Sequence, residues 1–368
     1  MSESITKYGR LFRVDLRALW RYGTPRKFFN ALRTEWAFRR HVSDIDVTPY
    51  MLIVEPLYYC NLRCPLCVRE TAPHARKGKE EAGRLPLDLF DQVLNEIGKY
   101  LFQVQIFGNG EPLLDWPRTS QIISRSHARR IYTLMSSNCT LISEKVAEEL
   151  IASPLDYIIC GIDGITQKTY EAYRVGGKVE DALGGLRRLV EQRRRQRGRL
   201  FIEWQFLINR FNCHEIDDVR RMADDLGVYL RLTPIGGVEA DPELRKYWSA
   251  EISQQTLGDQ TACSGTDCSY LWRTLTLNSN GQVARCNYFA NIAQLGPARG
   301  QSVVKMYNAD STKRARQLFS RGSVPEGDFP WPCTNCGVFQ RRRGGPAQDV
   351  ARVASAEHRK VSLELLNV

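Results

Sequence analysis

The chain has 368 residues, 43% hydrophobic and 25% charged, which is the composition of a folded globular protein long enough for two or three packed units. No run of ~18 apolar residues occurs, and the first ten residues lack the pattern of a signal peptide, so neither a membrane-spanning helix nor secretion is predicted and a cytoplasmic protein is expected. The net charge of +11 is concentrated in two segments, residues 1–43 and residues 187–199.

Residues 1–48 are predicted to form a basic helical extension. Aromatic and basic residues alternate there at spacings that fit amphipathic helices, with an interruption at residues 23–25. Packing against its own domain is the favoured interpretation. Contact with a membrane surface or a partner protein is the alternative.

Residues 49–240 alternate short apolar runs with longer helical stretches, which predicts repeated strand–helix units around a parallel sheet. Six units indicate an α/β fold, a partial (β/α)6 barrel, in which functional groups collect after the carboxyl ends of the strands. The predicted strands are residues 51–56, 102–107, 132–136, 157–162, 200–207 and 228–232. The predicted helices are residues 86–100, 117–130, 143–152, 166–173, 179–196 and 212–226.

Residues 257–345 have turn residues, short β-like runs at 271–277 and 282–286, and several cysteines, which predicts a small cysteine-rich domain. Residues 346–368 are expected to be a loosely ordered tail. The chain has eleven cysteines, an odd number. In a reducing compartment such clustered thiols indicate metal or redox chemistry rather than disulfides.

Three of the cysteines, Cys60, Cys64 and Cys67, follow the first predicted strand with three and two residues between them. A loop this tight can hold three corners of an iron–sulfur cluster and leave the fourth iron open. A structural zinc site is the weaker alternative, because His74 is the only nearby fourth ligand.

This motif, at the end of the first strand of six strand–helix units, resembles the radical S-adenosylmethionine (SAM) superfamily. The resemblance implies a 4Fe–4S cluster whose open iron binds SAM. It also implies reductive cleavage of SAM to a 5′-deoxyadenosyl radical that abstracts hydrogen from a substrate.

Further segments at strand ends resemble the cofactor-binding motifs of that superfamily. After the second strand stands Gly108-Asn109-Gly110-Glu111-Pro112, where Asn109 departs from the usual glycine. After the third strand, Cys139 stands where relatives carry glycine, and after the fourth, Gly161 replaces a usual serine. The resemblance implies these SAM-binding residues: Gly108, Gly110, Glu111, Pro112, Asn138, Asp163 and Arg174.

The cysteines of the C-terminal region resemble the first half of a SPASM extension, in its shorter twitch form. The resemblance implies one auxiliary iron–sulfur cluster, expected to be 4Fe–4S, and zinc is the alternative occupant. Four thiolates leave no open iron, so such a cluster is expected to accept or relay electrons. The implied ligands are Cys268, Cys286, Cys333 and Cys336.

Electron acceptance favours oxidation, and the twitch form resembles the dehydrogenase that oxidises 2-deoxy-scyllo-inosamine. The expected function is therefore oxidation of a sugar, cyclitol or related natural product. An epimerase with a cysteine hydrogen donor is one alternative, and a peptide or protein maturase is another. The candidate hydrogen donors are Cys139, Cys160, Cys213 and Cys263.

The electron donor implied by the resemblance is an acidic flavodoxin or ferredoxin. Such a partner accounts for the basic segments through charge complementarity. Nucleic acid is disfavoured, because the arginine run lies on a predicted outer helix, away from the strand ends. A solvated helix face is an equally good interpretation of that run.

Overall fold

The computed structural model describes residues 20–71, 83–236, 238, 242–253, 267–287, 293–320, 331–334 and 336–342. Within these residues the strands are β1 Met51–Val54, β2 Gln103–Ile106, β3 Tyr132–Ser137, β4 Tyr157–Gly161, β5 Phe201–Ile208, β6 Tyr229–Pro234, β7 Thr274–Leu277, β8 Gln282–Ala284 and β9 Gln294–Pro297. They form one sheet in the order β6-β5-β4-β3-β2-β1-β7-β8-β9.

The helices of the described residues are α1 Pro25–Arg39, α2 Val68–Thr71, α3 Leu87–Ile97, α4 Trp116–Ala128, α5 Glu144–Ala152, α6 Gln167–Glu171, α7 Val179–Arg195, α8 Ile216–Leu226, α9 Pro242–Trp248, α10 Tyr270–Arg273, α11 Val303–Tyr307, α12 Asp310–Gln317, α13 Trp331–Thr334 and α14 Gly337–Arg342. Short 3-10 helices cover Pro112–Asp115 and Cys213–Glu215. None of the helices in this part of the chain is long and apolar enough to cross a membrane.

Strands β1 to β6 are parallel and alternate with helices, so the predicted partial barrel is confirmed. The two faces of the sheet differ. In β5 the side chains of Ile202, Trp204 and Phe206 enter the main core with residues of the surrounding helices. Glu203 is buried too but lies outside that core, and it bonds Arg231 of β6. The alternation follows from the two-residue period of a strand.

The C-terminal strands continue the same sheet. β7 pairs in parallel with β1, on the edge opposite β2, and β8 and β9 follow in antiparallel order. The predicted strand 271–277 is wrong in its first part, because α10 precedes β7. A short apolar run such as Leu271 and Trp272 suits a buried helical turn as well as a strand, and only the tertiary contacts decide.

The boundary proposed at residue 257 and the predicted tail 346–368 lie outside the described residues. The division into domains therefore stays a prediction.

Helix α1 packs across the amino-terminal ends of the strands, opposite the loops that carry the motifs. Glu35 receives two hydrogen bonds of 2.6 Å from the Arg273 guanidinium, and the Lys27 ammonium donates to the Arg130 carbonyl. Just before the helix, the Tyr22 hydroxyl donates to Asp156 over 2.5 Å. This contact pattern agrees with the packing interpretation for the described part of the extension, residues 20–48.

Candidate active site

The loop after β1 carries Cys60, Cys64 and Cys67. The Cys67 amide donates to the Cys64 carbonyl over 3.0 Å, which closes the turn between the two thiols. Burial, opposed by Arg174 and assisted by the neighbouring Cys67, raises the pKa of the Cys64 thiol to about 11. Burial and a neighbouring thiol also raise the pKa of Cys60 and of Cys67. The three thiols are therefore close enough to repel one another as thiolates.

The loop after β2 presses against this cysteine loop. A Cβ atom on Gly110 would lie 2.1 Å from the Leu57 carbonyl oxygen, so only glycine fits there. The next amide, that of Glu111, donates to the Tyr59 carbonyl over 2.8 Å. Pro112, buried, begins the 3-10 helix that follows.

The Glu111 carboxylate ties this loop to the loop after β3. One oxygen accepts from the Ser137 hydroxyl and the other from the Asn138 amide, each over 2.8 Å. Burial raises the pKa of Glu111, while these donors act in the opposite direction. Both oxygens accept hydrogen bonds, so the carboxylate holds the loop after β2 against the loop after β3.

The Asn138 side chain connects the loop after β3 to the cysteine loop. Its amide donates to Asn61 over 2.9 Å, and Asn61 in turn donates to Thr140 over 2.8 Å. The intervening Cys139 has φ 64°, in the left-handed region that favours glycine. The backbone conformation at Cys139 is therefore one that glycine adopts more readily.

Asp163 and Arg174 form the buried ion pair of the site. The Arg174 Nε donates to Asp163 over 2.6 Å, and its Nη1 donates to the Cys64 sulfur over 3.8 Å. A Cβ atom on Gly161 would come within 2.9 Å of this guanidinium. The departure from serine at Gly161 thus leaves room for Arg174.

Glu55 is a site residue that the sequence analysis missed. It is buried at the end of β1, and one oxygen accepts from both the backbone amide and the side-chain amide of Asn109, each over 2.9 Å. The other oxygen accepts from the Ser279 hydroxyl over 2.7 Å. Burial raises the pKa of Glu55. The available signal was a carboxylate directly after the apolar residues of β1.

The three candidate hydrogen donors among the described residues lie in different surroundings. Cys139 and Cys160 are fully buried in the core between the sheet and its helices. Cys213 is half-buried on the turn after β5, with its sulfur 3.7 Å from the Arg210 carbonyl. Cys263 lies outside the described residues. Their role as hydrogen donors stays a prediction.

The C-terminal cysteines form a second group. Burial raises the pKa of Cys333 to about 12, Arg285 lowers it, and Cys286 and Cys336 raise it. Burial and the same neighbours also raise the pKa of Cys268. Cys268 thus lies near the other three thiols. The ten cysteines of the described residues are all free of disulfides.

The residues present suit an iron–sulfur cluster with a polar ligand beside it. In the described residues no three thiol, imidazole or carboxylate groups already stand in a metal-binding arrangement. Around the cysteine loop, however, the buried Tyr58 hydroxyl, Arg69 Nε and Trp248 Nε1 have no hydrogen-bond partner in the structure. Such buried polar atoms normally have one, so this environment fits a polar group that the protein itself does not supply.

The described residues combine a partial barrel, a three-cysteine loop after its first strand and a glycine–glutamate loop after its second. Residues 54–199 match the family model described as "Radical SAM superfamily", and the chain carries a radical SAM domain. Enzymes of that family bind SAM and a 4Fe–4S cluster.

A curated relative is the mycofactocin maturase MftC of Mycobacterium ulcerans, 27% identical over 186 residues. That match covers 50% of this chain and 47% of the relative, so this chain spans about half the length of the curated relatives it matches.

Two solved structures share the fold. One is Streptococcus suis SuiB bound to the precursor peptide SuiA, with a TM-score of 0.52, 16% identity and coverage of 87% of this chain and 78% of that chain. The other is anSMEcpe with bound SAM and the peptide Kp18Cys, with a TM-score of 0.52, 14% identity and coverage of 84% and 99%.

Proposed function

We propose that Cys60, Cys64 and Cys67 hold the 4Fe–4S cluster of the radical SAM domain. The convergence of the segments after β2, β3 and β4 on this cysteine loop carries the proposal. When bound, the cluster and SAM supply an electron and a 5′-deoxyadenosyl radical that abstracts hydrogen from a substrate. The protein's part is to hold these groups in one orientation and to keep water out.

The surrounding residues are suited to that task. Gly110 brings the backbone of the β2 loop against the cysteine loop, while Glu111 and Asn138 fix the β3 loop beside it. Arg174, neutralised on one side by Asp163, directs its other nitrogens at Cys64 and its surroundings. We infer that this guanidinium faces the carboxylate of SAM, the bidentate partner that arginine favours.

Cys268, Cys286, Cys333 and Cys336 are proposed to hold an auxiliary iron–sulfur cluster. The position of Cys268 near the other three thiols and the cation Arg285 beside Cys333 support this, because a cationic neighbour stabilises thiolate ligands. Such a cluster would accept the electron that an oxidised substrate releases.

For the substrate, a peptide is the proposal the comparisons favour. One relative is a mycofactocin maturase, and both solved structures contain a peptide. Oxidation of a sugar or cyclitol is the second candidate. It is favoured by the four candidate thiolate ligands of the auxiliary cluster, because a cluster with no open iron suits the acceptance of electrons from an oxidised substrate.

The electron donor is proposed to be an acidic flavodoxin or ferredoxin. The last turn of α7 carries three consecutive arginines, Arg193 to Arg195, and two of them are exposed. A cationic helix end of this kind steers an acidic partner towards the protein.

The test starts with iron content and SAM cleavage in anaerobically reconstituted protein. Wild type is expected to hold about eight irons, and the triple variant Cys60→Ala, Cys64→Ala, Cys67→Ala about four with no SAM cleavage. A variant with no iron would contradict two separate sites. A triple variant that still cleaves SAM would overturn the proposed cluster ligands.

The substrate is tested by isotope transfer. Deuterium entering 5′-deoxyadenosine from a pool of deuterated peptides would support the peptide proposal. Transfer from deuterated 2-deoxy-scyllo-inosamine instead would overturn it in favour of cyclitol oxidation.

A further inference from the structure

The outward face of the N-terminal segment exposes large apolar side chains. Seven such side chains are exposed in the described residues, and five of them lie between residues 20 and 36. At 100° per residue, the four in α1 fall within an arc of about 100°. Their exposed fractions are 42% for Phe28, 74% for Phe29, 69% for Leu32 and 54% for Trp36, with 87% for Trp20 just before the helix.

Cationic side chains border this apolar strip. Arg26, Arg33 and Arg40 are exposed and recur every seven residues, so they form a row along one margin of the helix. The only acidic residue between Trp20 and Ser43 is Glu35. Its two oxygens accept from the Arg273 guanidinium, which removes its charge from the outer surface.

The opposite side of α1 is fixed to the protein. Thr34 and Ala37 are fully buried, and Lys27, 1% exposed, donates to the Arg130 carbonyl. Thr24 caps the helix through the Lys27 amide over 3.3 Å. Rotation of the apolar strip into the core would break these contacts. The strip is therefore a surface feature of the folded protein.

We propose that this face of α1 binds an anionic membrane surface. Tryptophan and phenylalanine favour the headgroup level of a bilayer, and arginine pairs with lipid phosphate. A convex helix with an apolar strip and one cationic margin matches a planar negative surface. Because α1 crosses the amino-terminal ends of the strands, binding would leave the active site on the side away from the membrane.

The experiment measures co-sedimentation of the full chain with phosphatidylcholine vesicles and with vesicles that also contain 30% phosphatidylglycerol. Wild type is expected to bind the anionic vesicles at least tenfold more strongly, with a blue shift of tryptophan emission, and to be released as salt rises. Binding that ignores lipid charge would overturn the proposal.

Two variants locate the binding to α1. The variant Phe29→Ser, Leu32→Ser, Trp36→Ser and the variant Arg26→Gln, Arg33→Gln, Arg40→Gln are each expected to lose at least tenfold in binding. The matched control Arg187→Gln, Arg195→Gln, Arg197→Gln removes the same charge from exposed positions on and just after α7 and should bind as wild type does.

Equal loss in the control would show that net charge, and not this face, attracts the vesicles, and would overturn the proposal. A dimer that the serine variant abolishes, without vesicle binding by wild type, would assign the face to a second copy instead. Unchanged iron content in each variant shows that the protein is folded. Should the serine variant not fold, the arginine variant and its control decide the question.

Discussion

At the scale of single residues, the ion pair of Asp163 and Arg174 is the most consequential interaction of the site. Asp163 is fully buried, and besides Arg174 it accepts from the Leu207 amide over 2.7 Å. Arg174 has only 17% of its side chain exposed. Loss of one partner would leave the other charge buried without compensation, which is far more unfavourable than loss of an exposed pair.

Asp163→Ala is therefore expected to lower the free energy of unfolding by about 3–5 kcal/mol and to weaken SAM binding. The double variant Asp163→Ala, Arg174→Met should recover part of that stability. Glu191→Ala, which removes an exposed pair with Arg195, is the control and should change stability by less than about 0.5 kcal/mol. Urea unfolding measures the stability of all three variants. Equal losses of stability in Asp163→Ala and Glu191→Ala would contradict a special role for the buried ion pair.

The sequence supplied candidate site residues but not their contacts. Glu111 and Asp163 were expected at the site because the motifs that contain them resemble those of the radical SAM superfamily. That the Glu111 carboxylate is occupied by Ser137 and Asn138 depends on the register of β2 against β3. Glu55 was missed for the same reason, because its partner Ser279 is 224 residues away in the chain.

At the scale of elements, two consecutive glycines of α7 have different roles. A Cβ atom on Gly185 would lie 2.2 Å from the Cys139 carbonyl oxygen, so this residue allows α7 to pack against the loop after β3. A Cβ atom on Gly184 would have as its closest neighbours, at 3.4 Å, atoms of the flexible end of Arg188 in the same helix.

Gly185→Ala should therefore lower the free energy of unfolding by about 1–3 kcal/mol through overpacking. Gly184→Ala, its matched control, should raise it by about 0.5–1 kcal/mol through helix propensity. Thermal unfolding distinguishes them. Stabilisation by both substitutions would show that α7 does not need its close approach to Cys139.

Lys27 gives helix α1 a measurable pH dependence. Burial, with a smaller contribution from the neighbouring Arg130, lowers the pKa of Lys27 from 10.5 to about 8. At pH values between these two pKa values, Lys27 is protonated in the unfolded chain and has lost its proton in the folded chain. The free energy of unfolding therefore rises with pH in this range.

In Lys27→Met this rise should be smaller than in wild type by about 1–2 kcal/mol between pH 7.5 and 10, after allowance for solvent screening. Lys99→Met, at an exposed position, is the control and should keep the wild-type profile. Urea unfolding at the two pH values tests this. Parallel profiles for wild type and Lys27→Met would mean that Lys27 is not desolvated.

At the scale of the whole molecule, the C-terminal region joins the barrel through the sheet as well as through its cysteines. β7 continues the sheet beyond β1, and Leu275 and Leu277 are buried in the main core. Sequence periodicity predicted the six-unit barrel correctly, since each unit is local. It could not predict the β1–β7 pairing, because strands more than 200 residues apart leave no local signal of adjacency.

The two attachments predict different responses to loss of the auxiliary ligands. Helices α13 and α14 are short and lie outside the sheet. Phe339 contacts Phe319 edge to face with ring centroids 5.8 Å apart, and Arg342 donates to the Ser320 carbonyl over 3.0 Å. Short helices of this kind can open locally without breaking the strand pairing of the sheet. In Cys333→Ser the amides of these helices should exchange hydrogen at least tenfold faster than in wild type.

The amides of β7 should keep their protection in the same variant, because their bonds to β1 and the burial of Leu275 do not involve Cys333. Hydrogen exchange followed by mass spectrometry compares the segments directly, with Cys213→Ser as a control that should leave both at wild-type rates. Faster exchange in β7 together with α14 would mean that the metal ligands, and not the continuous sheet, hold the C-terminal region to the barrel.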